Sequence, residues 1–419
     1  MKAGTAILEA FYQAAGQFVR ADDLGRQVKL PTTAVTAEVA ELEKIGYTIE
    51  AHPHFGYRLL GTPDRLTADD IKARLESISR VGANSIRDRS RLQAAPTKQS
   101  VIGSEILVFE ETASTNDVVE HLAKSGAREG LAVFAESQTR GRGRRGRAWA
   151  SPRGKGLWFS VLLRPALPPS AASRITVAAG VAVARAIRET CGVDARIKWP
   201  NDVTLNGRKL AGILTELRAE ADEILLAILG IGIDVNCGPE DFPQELTGVA
   251  TSLELETGKA QDRVALAARV LAELDECYHR ALTDFESVAD ECAKLCTTLG
   301  RQIVVTMGQH RVEGFAQALD GDGALLLRRD SGRMERILGG DVTVERAGRR
   351  NVHSCWSIST TRTPVSPWPT RNACCALSKS RPYQSVRFRS PLLAFPESFC
   401  HRLYQRWQNV CGACCRCDR

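Results

Sequence analysis

The chain has 419 residues, of which 43% are apolar and 25% are charged, close to the usual composition of a soluble globular protein. No stretch approaches the roughly 18 uninterrupted apolar residues of a membrane helix, and the N-terminus lacks the apolar core of a signal peptide, so we expect a cytoplasmic protein that binds no membrane. Twelve of the 56 basic residues but only two of the 49 acidic residues lie in residues 349–419, so the rest of the chain carries a net charge of −3 and gives no charge argument for nucleic-acid binding.

The first 61 residues predict a winged helix-turn-helix. Apolar residues recur at helical spacing, and Pro31 suits the first turn of a further helix because it has no N–H to lose there. Two alternating segments on either side of Pro53-His54-Phe55-Gly56 predict a wing-like hairpin. We place the helix-turn-helix itself at about Arg20 to Leu42.

The pattern divides the next 286 residues into three segments. Residues 62–103 contain one amphipathic helix and a polar stretch, which we interpret as an interdomain linker. Residues 104–298 alternate strands with helices, which predicts a mixed α/β domain. Residues 299–347 contain four or five short strands with Gly turns, which predicts a small β-barrel. The expected fold class is therefore α+β.

Residues 348–419 show no such periodicity. They are rich in Ser, Pro, Arg and Cys and contain eight of the 13 cysteines, while the other five are scattered as in reduced cytosolic proteins. The segment CGACCRC has some likeness to a zinc site, but no second CxxC pair stands at a suitable distance. We therefore predict a disordered tail without function, and no metal site formed by the protein alone.

The strongest functional motif is the arginine loop, Gly141-Arg142-Gly143-Arg144-Arg145-Gly146-Arg147. Four guanidinium groups cannot all be buried without partners, and the glycines let the backbone approach a ligand closely. Guanidinium forks and backbone N–H groups bind carboxylates and phosphates well. An RG-rich nucleic-acid segment or a solvated loop is the alternative, but the position between two apolar strands favours an anion site.

A second motif, Lys198-Trp199-Pro200-Asn201-Asp202, is followed by Asn206-Gly207, which predicts a two-residue hairpin turn. The turn is expected to bring Asp202 and Lys209 together on adjacent antiparallel strands. A lysine beside an arginine-lined anion site can neutralise negative charge in a transition state. A cross-strand ion pair without any further role is the alternative.

Two further segments offer polar groups or close backbone approach. Ser114-Thr115-Asn116 stands at the expected start of a helix, where such residues normally form the cap, although they can also bind a polar ligand. The segment from Gly230 to Asn236 ends a buried strand with two glycines, as expected where another group packs closely on the backbone. Its spacing is not that of a dinucleotide-binding fingerprint.

In this order the four motifs resemble those of bacterial biotin–protein ligases, specifically the longer, bifunctional form that carries an N-terminal DNA-binding domain. The resemblance covers roughly residues 1–347. It implies a catalytic domain like that of class II aminoacyl-tRNA synthetases and lipoate ligases, followed by an SH3-like barrel. It also implies biotin–[acetyl-CoA-carboxylase] ligase activity. In the presence of Mg²⁺, biotin and ATP give biotinyl-5′-AMP and pyrophosphate, and a lysine of biotin carboxyl carrier protein then accepts the biotin and releases AMP.

The resemblance also implies roles for individual residues. Catalytic roles are implied for Lys209, Arg144 and Asp202. Biotin binding is implied for Ser114, Thr115, Asn116, Gln138, Arg142, Gly143, Arg144 and Lys209, and binding of ATP or the adenylate for Arg142, Arg144, Asn201, Lys209 and Asp234. Trp149 is assigned to the adenine or biotin pocket. Asp234 stands where the family often has Asn, which adds a negative charge near the expected site.

The same resemblance implies operator DNA and a second copy of the chain as partners. The expected recognition helix, however, carries Glu38, Glu41 and Glu43 with only Lys44, and DNA affinity depends largely on phosphate neutralisation. An alternative to an active ligase is a transcription regulator that uses the same domain only to sense biotinyl-AMP. The retained Lys209 and Arg144 favour the ligase.

Overall fold

A computed structural model of the chain describes residues 3–89 and 100–344, except for the side chains of residues 80–89. The described residues belong to one compact unit. The tail at 348–419, with its CGACCRC segment, lies outside the described residues, as do residues 90–99 of the predicted linker.

Three helices and a hairpin form the N-terminal region. Helices α1 (Ala3–Gln13), α2 (Ala21–Val28) and α3 (Thr32–Lys44) are followed by the antiparallel strands β1 (Thr48–His52) and β2 (Gly56–Gly61). Their apolar faces share a core of their own, which includes Phe11, Leu24 and Val39. These elements occur in the order that the sequence predicts for a winged helix-turn-helix.

Helix α4 (Ala68–Arg89) lies in the segment that the sequence predicts to be a linker. Its residues Ile71 and Leu75 are buried in the same core as the central sheet, together with Leu66 just before the helix. The predicted amphipathic helix is therefore present, and its apolar face makes the first half of this segment a packed part of the fold.

Seven strands form the central sheet: β3 (Glu105–Phe109), β4 (Leu131–Ala135), β5 (Gly156–Leu163), β6 (Arg196–Lys198), β7 (Asp202–Leu205), β8 (Arg208–Glu220) and β9 (Glu223–Asp234). They lie in the order β3-β4-β5-β9-β8-β7-β6. Strands β3 and β4 are parallel and the other neighbours are antiparallel, which confirms the predicted mixed sheet.

Helices cover both faces of this sheet, so alternate side chains of a strand enter different cores. Strand β4 shows the division, because Ala132 and Phe134 pack in the core that contains α6 (Ser173–Cys191) and α8 (Arg263–Thr283). Val133 points to the opposite side, toward α5 (Thr115–Lys124). Two shorter helices, α7 (Leu253–Thr257) and α9 (Phe285–Leu295), complete this region.

The predicted hairpin turn at Asn206-Gly207 is confirmed. Both residues have positive φ angles, +51° and +78°, as a tight two-residue turn between right-twisted strands requires. The turn joins β7 and β8, whose register places Leu205 opposite Arg208 and Thr204 opposite Lys209.

A second, antiparallel sheet follows the region of the central sheet. Its strands are β10 (Gln302–Met307), β11 (His310–Leu319), β12 (Leu325–Arg328), β13 (Met334–Ile337) and β14 (Asp341–Val344), in the order β13-β12-β11-β10-β14. Within residues 302–344 the outer strands β13 and β14 do not pair with each other. The predicted small β domain is therefore present as a five-stranded sheet, and its closure into an SH3-like barrel stays a prediction.

One indole ring joins this sheet to the region of the central sheet. Trp199 belongs to the core of the second sheet, beside Val305 and Leu327, although it precedes that sheet by about a hundred residues in the sequence motif Lys198 to Asp202. Its Nε1–H donates to the Gly323 carbonyl (3.3 Å).

Among the described residues, one stretch, Pro169–Cys191 with helix α6, is long and apolar enough to cross a membrane by length and composition alone. Two-thirds of its most apolar window (67%) is buried inside the protein, where the core helix of a globular protein would lie.

Candidate active site

A cleft opens over strands β8 and β9, beside the first turn of α5. Its empty volume is about 470 Å³, including the open mouth. Most of the residues predicted from the sequence to bind a ligand line it: Ser114, Thr115, Asn116, Gln138, Arg142, Gly143, Arg144, Asn201 and Lys209. Residues distant in the sequence are therefore brought together in one cavity, whose lining also includes apolar residues such as Phe159 and Ile231.

The first turn of α5 forms one wall of the cavity. Ser114 occupies the N-cap position of α5, but its side chain makes no capping hydrogen bond. Helix capping therefore does not account for this side chain. The backbone N–H of Thr115 donates to Gln138 Oε1 (2.9 Å), and Gln138 Nε2 donates to Ser151 Oγ (2.9 Å). The polar groups of this wall are held by one another.

The arginine loop forms a second wall and closes on itself, because the Gly143 N–H donates to the Arg147 carbonyl (2.7 Å). Arg142 forms ion pairs with Asp117 (2.7 Å) and Glu216 (3.3 Å). Its charge is thus largely matched by two carboxylates at the rim of the cavity.

Arg144 has a different environment. Its Nη1 donates to the amide oxygen of Asn201 (2.5 Å), and no carboxylate in the described ranges forms an ion pair with it. Burial, and after it the positive charge of Arg145, lowers the pKa of Arg144. A guanidinium group that is partly desolvated and unmatched by a carboxylate is suited to binding an anion.

The other two arginines of the loop point to the second sheet. Arg145 donates to Asp341 Oδ2 and to the Thr306 carbonyl, both at 3.0 Å, and Arg147 donates to Asp341 Oδ2 at 2.6 Å. One carboxylate at the start of β14 therefore holds two guanidinium groups of the loop.

Lys209 lies on the third side of the cavity. Its Nζ is 2.7 Å from Asp202 Oδ1 and 5.1 Å from the centroid of the Trp149 ring. The Trp149 indole rests on the backbone of β8 and β9, where a Cβ atom at Gly212 or Gly232 would lie within 2.7 Å and 2.6 Å of it. The predicted meeting of Asp202 and Lys209 is confirmed, and the glycines are needed for the close approach of the ring.

Asp234 was also assigned to the nucleotide site from the sequence, but it does not line the cavity. It is buried at the end of β9, with 6% of its surface exposed. Burial raises the pKa of Asp234 well above its ordinary value, although the charge of Lys209 opposes the shift. Its role in binding ATP stays a prediction.

Three residues that contact this site were missed by the sequence analysis: Ser160, Glu216 and Asp341. Each is a polar residue of a common type in a strand, outside the segments of unusual composition, so no local spacing could identify it. Only the packing of β5 and β8 beside α5, and of β14 beside the arginine loop, brings them to the cavity or its loop.

Within residues 3–89 and 100–344, no three or more His, Cys, Asp or Glu side chains are grouped so that they could hold a metal ion. The carboxylate of Asp202, beside the cavity, is already paired with Lys209 (2.7 Å).

The profile of the Biotin/lipoate A/B protein ligase family matches residues 108–236, and that of the Biotin protein ligase C terminal domain matches residues 298–344. These two ranges include the arginine loop, the segment around Lys209 and the second sheet.

Several curated relatives and solved structures are similar. The "Bifunctional ligase/repressor BirA" of Bacillus subtilis (strain 168) is 33% identical over 337 residues, which are 80% of this chain and 97% of that protein. The "Biotin--[acetyl-CoA-carboxylase] ligase" of Mycobacterium tuberculosis is 33% identical and covers 61% of this chain and 97% of its own. The structure "Biotin protein ligase from Aquifex aeolicus in complex with biotin and ATP" aligns with a TM-score of 0.50 and 29% identity, over 58% of this chain and 100% of that one.

Proposed function

The chain belongs to the biotin protein ligase family, and on this premise we propose that it is an ATP-dependent biotin–[acetyl-CoA-carboxylase] ligase. The observation that carries the proposal is the pair of cations, Arg144 and Lys209, in one cavity whose opposite wall is neutral and polar. Such a cavity suits a ligand with a polar neutral head and a reacting group that becomes an anionic phosphate ester.

In the first step, a carboxylate oxygen of biotin attacks the α-phosphorus of ATP, the bond from that phosphorus to the bridging oxygen breaks, and pyrophosphate leaves. Negative charge increases on the phosphate oxygens as the new bond forms. Lys209 and Arg144 are the groups we assign to stabilise that charge, because preorganised cations lower the barrier where charge develops. Asp202, 2.7 Å from Lys209, orients its ammonium group.

In the second step, the neutral amine of a carrier lysine attacks the acyl carbon of biotinyl-5′-AMP. The C–O bond to the phosphate breaks, the amide forms, AMP leaves, and one proton is lost from the amine. Asp202 is the carboxylate we place nearest the arriving amine. Arg142, Gly143 and Asn201 are assigned to hold the adenylate until the carrier arrives.

Mg²⁺ fits this chain only as an ion that arrives with ATP. It commonly binds one or two carboxylates together with substrate phosphates, and Asp202 is the carboxylate next to the cavity that would contribute. When bound, the ion would neutralise charge on the phosphates.

The test is transfer of labelled biotin to a purified biotin carboxyl carrier domain. We expect label on the carrier only when ATP is present and only when the acceptor lysine is intact, with a carrier Lys→Arg variant as control. If biotinyl-AMP binds but no label reaches the carrier, while DNA affinity changes, the chain is a sensor and the ligase proposal is wrong.

We further propose that the N-terminal 61 residues form a winged helix-turn-helix that binds DNA with low affinity. The favouring observation is the element order from α1 to β2, with a cleft between the start of α2 and the hairpin that is lined by Arg20, His52 and His54. On α3, however, Lys44 is paired with Glu41 at 2.6 Å, and this removes a cation from phosphate binding. Fluorescence anisotropy of labelled operator-like DNA, with and without biotinyl-AMP, tests this proposal and would also report a ligand-driven dimer.

The domain limits we propose are 1–61 for this region, 62–103 for the connecting segment, 104–298 for the catalytic domain and 299–347 for a C-terminal SH3-like domain. A cytoplasmic location is part of the same proposal.

A further inference from the structure

Strand β5 contains one polar side chain, Ser160, in an otherwise apolar and fully buried strand. All eight residues from Gly156 to Leu163 are buried, and Ser160 is the single hydroxyl among glycine and large apolar residues. Ser160 has no exposed surface. A buried hydroxyl costs free energy unless its hydrogen bonds are made, and strand pairing itself needs no hydroxyl at this position.

The partners of Ser160 are the two residues that begin α5 at the cavity wall. Its Oγ donates to Asn116 Oδ1 (2.5 Å) and lies 2.6 Å from Thr115 Oγ1. Space for this contact is reserved on the neighbouring strand β9, because a Cβ atom at Gly230, directly opposite Ser160, would come within 2.4 Å of Asn116 Oδ1.

The number of protons fixes the direction of these hydrogen bonds. A hydroxyl has one proton to donate, and Ser160 gives its proton to Asn116 Oδ1, which can only accept. The Thr115 hydroxyl must therefore donate to Ser160. Gln138 Oε1 accepts a hydrogen bond from the Thr115 backbone N–H (2.9 Å) and lies 3.2 Å from the Thr115 hydroxyl, a longer contact than the 2.6 Å between that hydroxyl and Ser160. Toward the cavity, the Thr115 oxygen can therefore only accept a hydrogen bond.

The same serine also fixes the amide of Asn116. Because Asn116 Oδ1 accepts from Ser160, its Nδ2 points the other way and donates to Glu216 Oε2 (2.7 Å). Both ends of the amide are occupied, so Asn116 cannot rotate to present its NH₂ group to a ligand.

We propose that Ser160 is a positioning residue that makes the cavity wall at Thr115 an acceptor of hydrogen bonds, and so selects ligand heads that carry N–H donors. This inference rests on the proposed function, in which the head group is the cyclic urea of biotin with its two N–H groups. Ser160 itself does not line the cavity and acts through Thr115 and Asn116.

The test compares two ligands in two proteins. Dissociation constants are measured for biotin and for an analogue in which the urea is replaced by a cyclic carbamate, with one N–H exchanged for oxygen. In the wild-type protein we expect the carbamate to bind about tenfold more weakly than biotin. The reason is that the carbamate has one N–H group fewer to donate to the acceptor at the cavity wall. In Ser160→Ala the Thr115 proton is no longer held by Ser160 and is shared between Gln138 Oε1, 3.2 Å from the hydroxyl, and the cavity. Biotin should therefore bind about threefold more weakly, and the difference between the two ligands should fall to about threefold.

A matched control is Thr204→Val, which removes a buried hydroxyl from strand β7 of the same sheet. Thr204 Oγ1 donates to the Arg196 carbonyl (3.4 Å) and does not line the cavity. This variant should leave the ratio of the two dissociation constants unchanged. If Ser160→Ala does not fold, Ser160→Cys, which keeps the size and a weak donor, should give an intermediate ratio.

The outcomes separate the two proposals. If Ser160→Ala and Ser160→Cys weaken both ligands by the same factor, the serine has only a packing role and this inference is wrong, while the ligase function stands. If the wild-type protein binds no biotin and transfers none, the proposed function is wrong. A steady-state assay adds a further readout, because a positioning role should raise the KM for biotin and leave the KM for ATP and the kcat little changed.

Discussion

At the scale of the residue, Lys209 is the side chain on which the proposed chemistry depends most. Its ammonium lies 2.7 Å from Asp202 and beside the Trp149 ring, so it is held in place before any ligand binds. Replacing Lys209 by Ala should slow pyrophosphate release in the first step by about 100-fold or more, as expected when one preorganised donor at developing charge is lost. Single-turnover release of labelled pyrophosphate measures this step.

Lys124→Ala is the matched control for that experiment. Lys124 is a lysine at the end of α5, 3.1 Å from Glu120, and more than half of its side chain is exposed. Its removal should leave the rate of pyrophosphate release unchanged. Equal rates in the Lys209 and Lys124 variants would contradict the assignment of Lys209.

Asp234 makes a prediction about the dependence of stability on pH. Because burial raises the pKa of Asp234, the folded protein binds its proton more tightly than the unfolded chain does. The free energy of unfolding therefore decreases as the pH rises above the pKa of aspartate in the unfolded chain, about 4. The decrease is complete at a pH above the raised pKa of the folded protein. Asp234→Asn, which carries no charge at any pH, should raise the Tm at pH 8 and have little effect near pH 4.

Asp194→Asn provides a control of opposite sign. A hydrogen bond from Arg196 lowers the pKa of the exposed Asp194, so its carboxylate stabilises the fold above the unfolded pKa and this contribution is lost as the pH falls. The substitution should lower the Tm slightly at pH 8. A Tm that falls in both variants at pH 8 would show that the buried carboxylate of Asp234 is compensated by Lys209.

The site illustrates which residues a sequence reveals. Arg144 and Lys209 stand in motifs whose composition is unusual, so their chemistry could be predicted before their positions were known. Ser160 could not, because a serine inside an apolar strand is indistinguishable from a tolerated polar residue until β5 is placed against α5. The partner of a side chain is a property of the packing and not of its neighbours in the sequence.

At the scale of the element, the arginine loop and strand β14 act as one unit. Asp341 receives hydrogen bonds from Arg145 and Arg147, and exposed ion pairs of this kind contribute about 0–1 kcal/mol each. Asp341→Asn should therefore loosen the loop over the cavity and raise the dissociation rate of biotinyl-AMP about fivefold, which corresponds to about 1 kcal/mol. Stopped-flow displacement of the adenylate measures this rate.

Salt provides an independent check of the same contact. High ionic strength weakens exposed ion pairs, so the wild-type dissociation rate should approach that of the Asp341 variant in concentrated salt. Asp330→Asn, in the turn between β12 and β13, changes the same charge on the same sheet away from the loop and should have no effect. A rate that is equal in all three proteins at low salt would mean that Asp341 does not hold the loop.

Strands and turns were predicted better than the packing of helices. Alternating and continuous apolar runs identified the strands of the central sheet, and Asn206-Gly207 identified a turn by the conformations that these residues adopt easily. Helix α4 was predicted as a helix, but not as part of the main core. Its apolar stripe is the same whether it faces a solvent-exposed neighbour or α8, which lies almost two hundred residues later in the chain.

At the scale of the whole molecule, the described fold accounts for the site without the Arg- and Cys-rich tail. The cavity lining and the four apolar cores are formed by residues between 7 and 344. A chain that ends at residue 348 should therefore transfer biotin to the carrier with an unchanged kcat/KM. Loss of transfer in a truncated protein that still shows the full-length Tm would assign the tail a part in carrier recognition.

The position of Trp199 couples the small sheet to the segment that contains Asn201 and Asp202. Its ring is embedded in the core of the small sheet, and its amide N–H donates to Thr298 Oγ1 (3.1 Å). The next residues in the chain include Asn201, which lines the cavity, and Asp202, which pairs with Lys209. The small sheet therefore helps to fix the position of Asn201 and Asp202. On heating, the small sheet and the segment with Asn201 and Asp202 should lose their structure together. Activity should therefore disappear at the temperature at which the amide protons of residues 302–344 lose their protection from exchange.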